Sequence, residues 1–259
     1  MVNELQANLL AQLTAFDALC REHSVKYSLH GGTLLGAVRH KGFIPWDDDA
    51  DIAMTRSEFK KLDRVLNSES YSLALYMRDR VYPKINYRRS TNVGPKSWID
   101  VMIYDSITEK KFLQKAKVYT LAVLSAMNRT AKTIKMSKYE RYNYLLRFTQ
   151  YACYAIGCII PSKWKARLHQ WCCEYLLTGR KELIHRANDQ YCGIGSIYPK
   201  EIMDSYTYVA FEDVSLSITL RYHDVLVSAY GEDYMIPKKL DDDEAKMHDM
   251  YRSLIEEEG

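Results

Sequence analysis

Four aspartates crowd the end of the segment HGGTLLGAVRHKGFIPWDDDADIAM (His30–Met54): Asp47, Asp48, Asp49 and Asp51. Like charges about 4 Å apart repel by roughly 1 kcal/mol per pair in water, and by more as water is withdrawn. Such a run is either a solvated loop or part of a cation site. Asp49 and Asp51 flank one small residue, Ala50, at the start of the strand-like run ADIAM. In a strand, alternate side chains share a face with Cα atoms about 6.5–7 Å apart, which lets two carboxylates share one or two divalent cations. Paired ions about 3.5–4 Å apart clamp the attacking and leaving oxygens of a displacement at phosphorus. Mg²⁺ suits that chemistry because it takes carboxylate, water and phosphate oxygens; Mn²⁺ is a second candidate, and Asp47 is a further candidate ligand.

A third carboxylate stands in WIDVM, where Asp100 lies between Ile99 and Val101. Alternation turns it away from two apolar neighbours, so a strand beside the 50–54 strand would bring it to Asp49 and Asp51. There it would ligate metal or take a proton from an attacking hydroxyl. Gly31-Gly32-Thr33 supplies a candidate phosphate anchor, since glycines admit close approach and a helix N-terminus favours anions. Arg39 and Lys41 lie between that anchor and the aspartates, with Lys84 or Arg88 as further cations. Each feature has a bland reading of its own: a turn, a solvated loop, a misread strand end. Their order along the chain is more specific than any one of them.

The elements that must carry these residues follow from hydrophobic periodicity. Leu5, Leu9, Leu13, Phe16 and Cys20 predict an amphipathic helix over 3–23. Val25, Tyr27 and Leu29 alternate as a strand that Gly31-Gly32 ends, and Thr33 is a candidate N-cap for a short helix to Arg39. A strand over 50–54 and a helix from Ser57 to Leu66, with Ser57 as N-cap, come next. Residues 71–104 read as β-rich and those from Phe112 as long helices; YTYVAFEDVSLSITL is strand-like, and the tail from Leu240 reads as a frayed helix. The division expected is a catalytic core over 1–110, a helical insertion over 111–198 facing the acceptor or a membrane, a C-terminal element over 199–240 packing back on the core, and a tail over 241–259.

The 259 residues, 47% apolar and 27% charged, describe a globular chain, and a net charge of +3 gives no reason to expect a nucleic-acid partner. The N-terminus lacks the pattern of a signal peptide, and the six cysteines lack metal-ligand spacing, which points to reduced thiols and a cytoplasmic location. Tyr151–Ile160 (YACYAIGCII) is too short to span a bilayer. The favoured reading is a buried helix; the alternative is an interfacial helix, because Arg141, Arg147, Lys163, Lys165 and Arg167 flank it with Tyr and Trp interleaved.

The order strand, GG[T], short helix, D-x-D and a distant apolar-D-apolar resembles the DNA polymerase beta-like nucleotidyltransferase fold. That implies an α+β core, a mixed sheet with flanking helices, plus a helical insertion. GGTLLGAVRHKGFIPWDDDADI is similar to the signature of the LicD family, which includes fukutin-type relatives. WIDVMIYDSI is similar to the family's FIDIFPLD segment, and AFEDVSLSITLRYHDVLVSAYGEDYMIP to its C-terminal element. The resemblance covers about 1–105 and 200–240 and departs at VMIYD, which leaves Asp105 unassigned.

The resemblance implies metal-dependent transfer of phosphocholine, or a related phospho-alcohol, from CDP-choline or a similar CDP-alcohol. The acceptor is a sugar hydroxyl of a cell-surface glycan or lipid-linked oligosaccharide, such as a lipopolysaccharide or teichoic acid precursor, and CMP leaves. Asp49, Asp51 and Asp100 would then be catalytic, and Gly31, Gly32, Thr33, Arg39 and Lys84 would bind phosphate. The enzyme would work in the cytoplasm or peripherally at the inner membrane face. The alternatives are a nucleotidyltransferase that uses an NTP and releases pyrophosphate, and a non-catalytic glycan-binding member. Trp46, Trp98 and several tyrosines are available to cage a choline head group.

Overall fold

A computed structural model describes residues 3–67, 71–78, 82–87, 97–129, 144–189 and 191–237. The tail beyond 237, Arg88 and Arg141 lie outside the described residues. The architecture is α+β, and the chain divides into two compact units. The first takes residues up to Tyr76, Lys84–Met102 and those from Glu201 onward; the second takes Met77–Pro83 and Ile103–Lys200.

In the first unit, α1 (Glu4–Glu22) starts at a capping box in which Asn3 and Gln6 satisfy each other's backbone N–H groups. Leu9, Leu13, Phe16 and Cys20, the predicted stripe, are buried. Then come β1 (Ser28–Leu29), α2 (Gly31–His40), β2 (Ala50–Thr55) and α3 (Arg56–Leu66). The cap of α3 is Thr55, whose hydroxyl accepts the Glu58 N–H, rather than Ser57. Two threonine or serine hydroxyls stand two residues apart there, and the helix starts at the first. β3 (Leu73–Arg78), β4 (Tyr82–Tyr87) and β5 (Ile99–Ile107) complete the sheet in the order β1-β2-β5-β4-β3. β1 pairs antiparallel with β2, Leu29 opposite Ile52, and β4 pairs antiparallel with β5, Lys84 opposite Asp100. The alternation around Asp100 is as expected, with Ile99 and Val101 buried and Asp100 intermediate.

Tyr27 ties the start of this unit to its end. Its hydroxyl donates to Asp17 at 2.8 Å, while its carbonyl accepts the Ser217 hydroxyl at 2.7 Å. Burial, with Asp17 close by, pushes the Tyr27 phenol far above its ordinary value, so it stays a donor.

The second unit holds the later part of β5, then α4 (Lys111–Asn128), α5 (Tyr144–Ile159), α6 (Ser162–Tyr175), β6 (Leu183–Arg186), the short α7 (Tyr191–Ile194) and β7 (Ile197–Pro199). β6 pairs antiparallel with β5 and with β7. Asp105 is buried on β5 opposite His185 of β6, within this unit. Leu121, Leu124, Cys172, Cys173, Ala187 and Ile194 form its core. Buried Lys165 donates to the Met127 carbonyl at 2.8 Å and the Gly157 carbonyl at 2.5 Å, satisfying C-terminal carbonyls of α4 and α5. The favoured buried reading of Tyr151–Ile160 is overturned. Gly157 is buried with its backbone against that of Met127, but Tyr151, Ala155, Ile156, Cys158, Ile159 and Ile160 are exposed.

Chain order returns to the first unit through a 3₁₀ turn, Lys200–Met203, to the hairpin β8 (Tyr206–Phe211) and β9 (Val214–Thr219) and to α8 (Tyr222–Tyr230). No helix among the described residues is long and apolar enough to cross a membrane.

Candidate metal centre

The acidic run becomes a cluster because three elements of the first unit meet at it. β2 carries Asp51 and follows directly on Asp49; its sheet neighbour β5 carries Asp100; the N-terminus of α2 closes over them. Asp49, Asp51 and Asp100 each offer a carboxylate oxygen within 4.8 Å of the others, and Asp47, Asp48 and Asp49 do the same. Asp49 belongs to both groups.

Burial and mutual repulsion act on the titration of this cluster. Burial, then Asp49 and Asp48, pushes the Asp47 carboxyl up to about 8. Burial, then Asp100 and Asp48, pushes Asp49 up to about 6, against the pull of Lys84. Asp47 Oδ2 is buried without a hydrogen-bond partner, an arrangement that costs free energy unless a donor or cation meets it. A divalent cation fits: the donors are all oxygen, several converge, and a buried acceptor is unmet. Asp47, Asp49, Asp51 and Asp100 are the residues that would hold it.

The glycine pair makes room for these carboxylates. Gly31 has φ +53°, and a Cβ there would lie 2.5 Å from Asp51 Oδ2; a Cβ on Gly32 would lie 2.9 Å from Asp47 Oδ2. The helix N-terminus thus faces the protein's own carboxylates, and its dipole offsets part of their repulsion. His30, the N-cap, provides no side-chain cap. Thr33 does not cap the helix as expected. It is fully buried in the first turn, and its hydroxyl accepts the Asp51 N–H at 2.9 Å. With the His30 N–H donating to the Asp51 carbonyl at 2.9 Å, Asp51 is pinned at both backbone groups.

Lys84 joins the site: its Nζ lies 2.7 Å from Asp100 Oδ1 and 3.9 Å from the centre of the Trp98 ring. Arg39 does not join the glycines. It sits in the last turn of α2, eight residues or about 12 Å along the axis from Gly31. Its guanidinium donates to the Tyr234 carbonyl at 3.2 Å and to His40 at 2.9 Å. Lys41, exposed, takes the left-handed C-cap beyond it.

Three residues that hold the acidic loop were not singled out in the sequence. Gln6 of α1 donates from Nε2 to the carbonyls of Ile44 and Asp47, at 3.1 and 3.0 Å. Glu212, in the β8–β9 turn, accepts the Phe43 N–H at 3.0 Å and donates its own N–H to the Lys41 carbonyl at 2.7 Å. A Cβ on Gly42 would fall 2.1 Å from Glu212 Oε1, so a side chain there would displace the Glu212 carboxylate from the Phe43 N–H. Tyr234, within YGEDYMIP, anchors Arg39 and so the far end of α2. No local pattern announces contacts of this separation.

Comparison with known proteins agrees with this picture. The family model described as LicD/FKTN/FKRP, nucleotidyltransferase domain, matches residues 24–122, a span that holds the glycine pair, every aspartate of the cluster and Lys84. The lipopolysaccharide cholinephosphotransferase LicD of Haemophilus influenzae is 28% identical over 263 aligned residues, covering 93% of this chain and 94% of that protein. An uncharacterized protein of Rickettsia prowazekii is 33% identical over 85 residues, which cover 33% of this chain and 29% of that protein.

Proposed function

We propose that this chain, which belongs to the LicD family, transfers phosphocholine or a related phospho-alcohol from a CDP-linked donor to a sugar hydroxyl. The acceptor is a lipopolysaccharide-like or other cell-surface glycan, or its lipid-linked precursor, and CMP leaves. The relative of known activity is a lipopolysaccharide cholinephosphotransferase. The observation that carries the reading is the convergence of Asp49, Asp51 and Asp100, whose carboxylate oxygens lie within 4.8 Å of one another although Asp100 is remote in sequence.

A divalent ion held by Asp49 and Asp51, with Asp47 and Asp100 available to complete its shell, would neutralise the donor diphosphate and the charge growing on CMP. The chain's own residues do the positioning. Thr33 and His30 fix the Asp51 backbone, so its carboxylate loses little entropy on engaging a ligand. Lys84 orients Asp100 through one oxygen and brings an ammonium to the cluster, which suits it to a phosphate oxygen of the donor. Asp100 then accepts the proton of the attacking sugar hydroxyl or completes the ion's coordination. The Gly31-Gly32 backbone, free of side chains, lets the Asp51 and Asp47 carboxylates sit against the helix N-terminus, where a Cβ would displace them. Together these features support a nucleotidyltransferase-like core.

Titrating Mg²⁺ and CDP-choline into wild type and an Asp49→Ala, Asp51→Ala double variant tests the reading. Metal-dependent donor binding is expected in wild type and not in the variant; equal binding in both would refute it. Product analysis separates the chemistries, since CMP release marks phospho-alcohol transfer and pyrophosphate marks nucleotidyl transfer.

A further inference from the structure

Helix α6 of the second unit is packed on one face and exposes an apolar stripe on the other. Its inner face buries Lys165, Ala166, His169, Cys172 and Cys173. Its outer face presents Trp164, Leu168, Trp171 and Tyr175 at i, i+4, i+7 and i+11, which are 73%, 50%, 52% and 57% exposed. Of nineteen large hydrophobic residues exposed among the described residues, twelve lie between Phe112 and Tyr175, so the exposure is concentrated in this unit. A contiguous exposed apolar patch on a helix whose other face is already packed marks an interaction surface.

Charge selects the neighbour. Residues 110–129 and 144–175 hold nine Lys and Arg and one acidic residue, Glu174, a local +8 in a chain whose total is +3. Lys117 and Lys165 spend their ammonium groups on buried carbonyls. Lys110, Lys111, Lys115, Lys163 and Arg167 are exposed. Lys163 and Arg167 each directly precede a residue of the apolar stripe, so they flank it. A second copy of the chain would bring the same positive charge against itself. Tryptophan and tyrosine on an apolar face with cations at its margin match the boundary between lipid head groups and acyl chains.

We propose that the outer face of α6 seats this unit on an anionic lipid bilayer. Trp164, Leu168, Trp171 and Tyr175 enter the head-group boundary, and Lys163 and Arg167 pair with lipid phosphates. The inference is independent of the chemistry proposed for the acidic centre, because no α6 residue belongs to that centre.

Flotation of the full chain with phosphatidylcholine vesicles containing phosphatidylglycerol, beside pure phosphatidylcholine vesicles, tests it. Wild type is expected to float with the anionic vesicles and at least about tenfold more weakly with the neutral ones. Trp164→Gln with Trp171→Gln, at exposed positions that leave the far-ultraviolet circular dichroism unchanged, is expected to lose more than about tenfold in partition. Lys163→Gln with Arg167→Gln is expected to lose roughly fivefold per cation removed, and only with anionic vesicles. Wild type that ignores both vesicle types, or a tryptophan double variant that floats like wild type, would overturn the proposal. So would a wild-type dimer in sedimentation that the tryptophan variant dissociates, since the face would then be covered by a second copy.

Discussion

Replacing Asp49 with asparagine should make the metal-free protein more stable while abolishing its response to magnesium. Burial, Asp100 and Asp48 raise the Asp49 carboxyl from its ordinary 3.8 to about 6. At about 1.36 kcal/mol for each tenfold change in proton affinity, keeping Asp49 ionised costs the fold up to about 3 kcal/mol at pH 8. Asparagine keeps the shape and removes the charge, so a gain of about 2 kcal/mol is expected once relaxation is counted. For a chain of this size that is roughly 4–8 °C in Tm. The sign with pH follows from the raised pKa. The folded state binds this proton more tightly than the unfolded state, so the contribution is favourable below about pH 4 and is lost as pH rises through about 6. The advantage of Asp49→Asn should therefore be full at pH 8, partial near pH 5 and absent below pH 4.

Thermal denaturation in EDTA at these pH values measures that advantage, and taking the difference between variant and wild type cancels the titrating groups that do not interact with Asp49. Adding magnesium should reverse the order at pH 8. An ion present at one hundred times its Kd stabilises wild type by about 2.7 kcal/mol, and the variant should respond far less. A variant no more stable than wild type in EDTA, or one that responds equally to magnesium, would refute the idea that this repulsion is offset by a cation.

Gly31→Ala should cost magnesium affinity at least about tenfold in calorimetry, because φ is +53° there and the new Cβ would fall 2.5 Å from Asp51 Oδ2. Glu212→Ala removes the acceptor of the Phe43 N–H at an exposed turn. It should cost about 1 kcal/mol in urea denaturation and loosen the acidic loop, so its magnesium affinity should fall with no ligand residue altered. Burial and Lys117 hold the fully buried His185 down at about 4, from an ordinary 6.5. The unfolded chain takes up that proton first on acidification, so up to about 3 kcal/mol should be lost between pH 7 and pH 4. A His185→Gln variant should show a flatter urea midpoint across that range.

What was legible in the sequence was local. Asp49 and Asp51 share a face by the two-residue repeat of a strand, and Asp100 between Ile99 and Val101 declares its side in the same way; both patterns lie within a few adjacent residues. Strand partners obey no such rule. That Lys84 stands opposite Asp100 depends on the register of β4 against β5, so a lysine read as a phosphate ligand also proved to be an ion-pair partner. Arg39 was placed near the glycines because it lies between them and the aspartates in sequence. A ten-residue helix carried it to the other end. Thr33 next to Gly-Gly looks like a cap on paper, and only a buried β2 alongside it makes the hydroxyl a brace for Asp51.

The Tyr151–Ile160 run misled for a related reason. Apolar content reports a preference for leaving water but does not name what replaces it, and here most of the run faces outward. The glycine pair shows the same ambiguity at the candidate site. Glycines before a helix were read as space reserved for an incoming phosphate, whereas that space is held by Asp47 and Asp51. A helix N-terminus against carboxylates lowers the cost of assembling them before any ligand arrives. It leaves a shortfall, visible in the raised Asp47 and Asp49 carboxyls, that a cation would meet. Preorganisation and residual repulsion are thus two sides of one arrangement: stronger compensation by the protein would weaken the pull on the ion, and weaker compensation would let the loop carrying Asp47–Asp49 come apart.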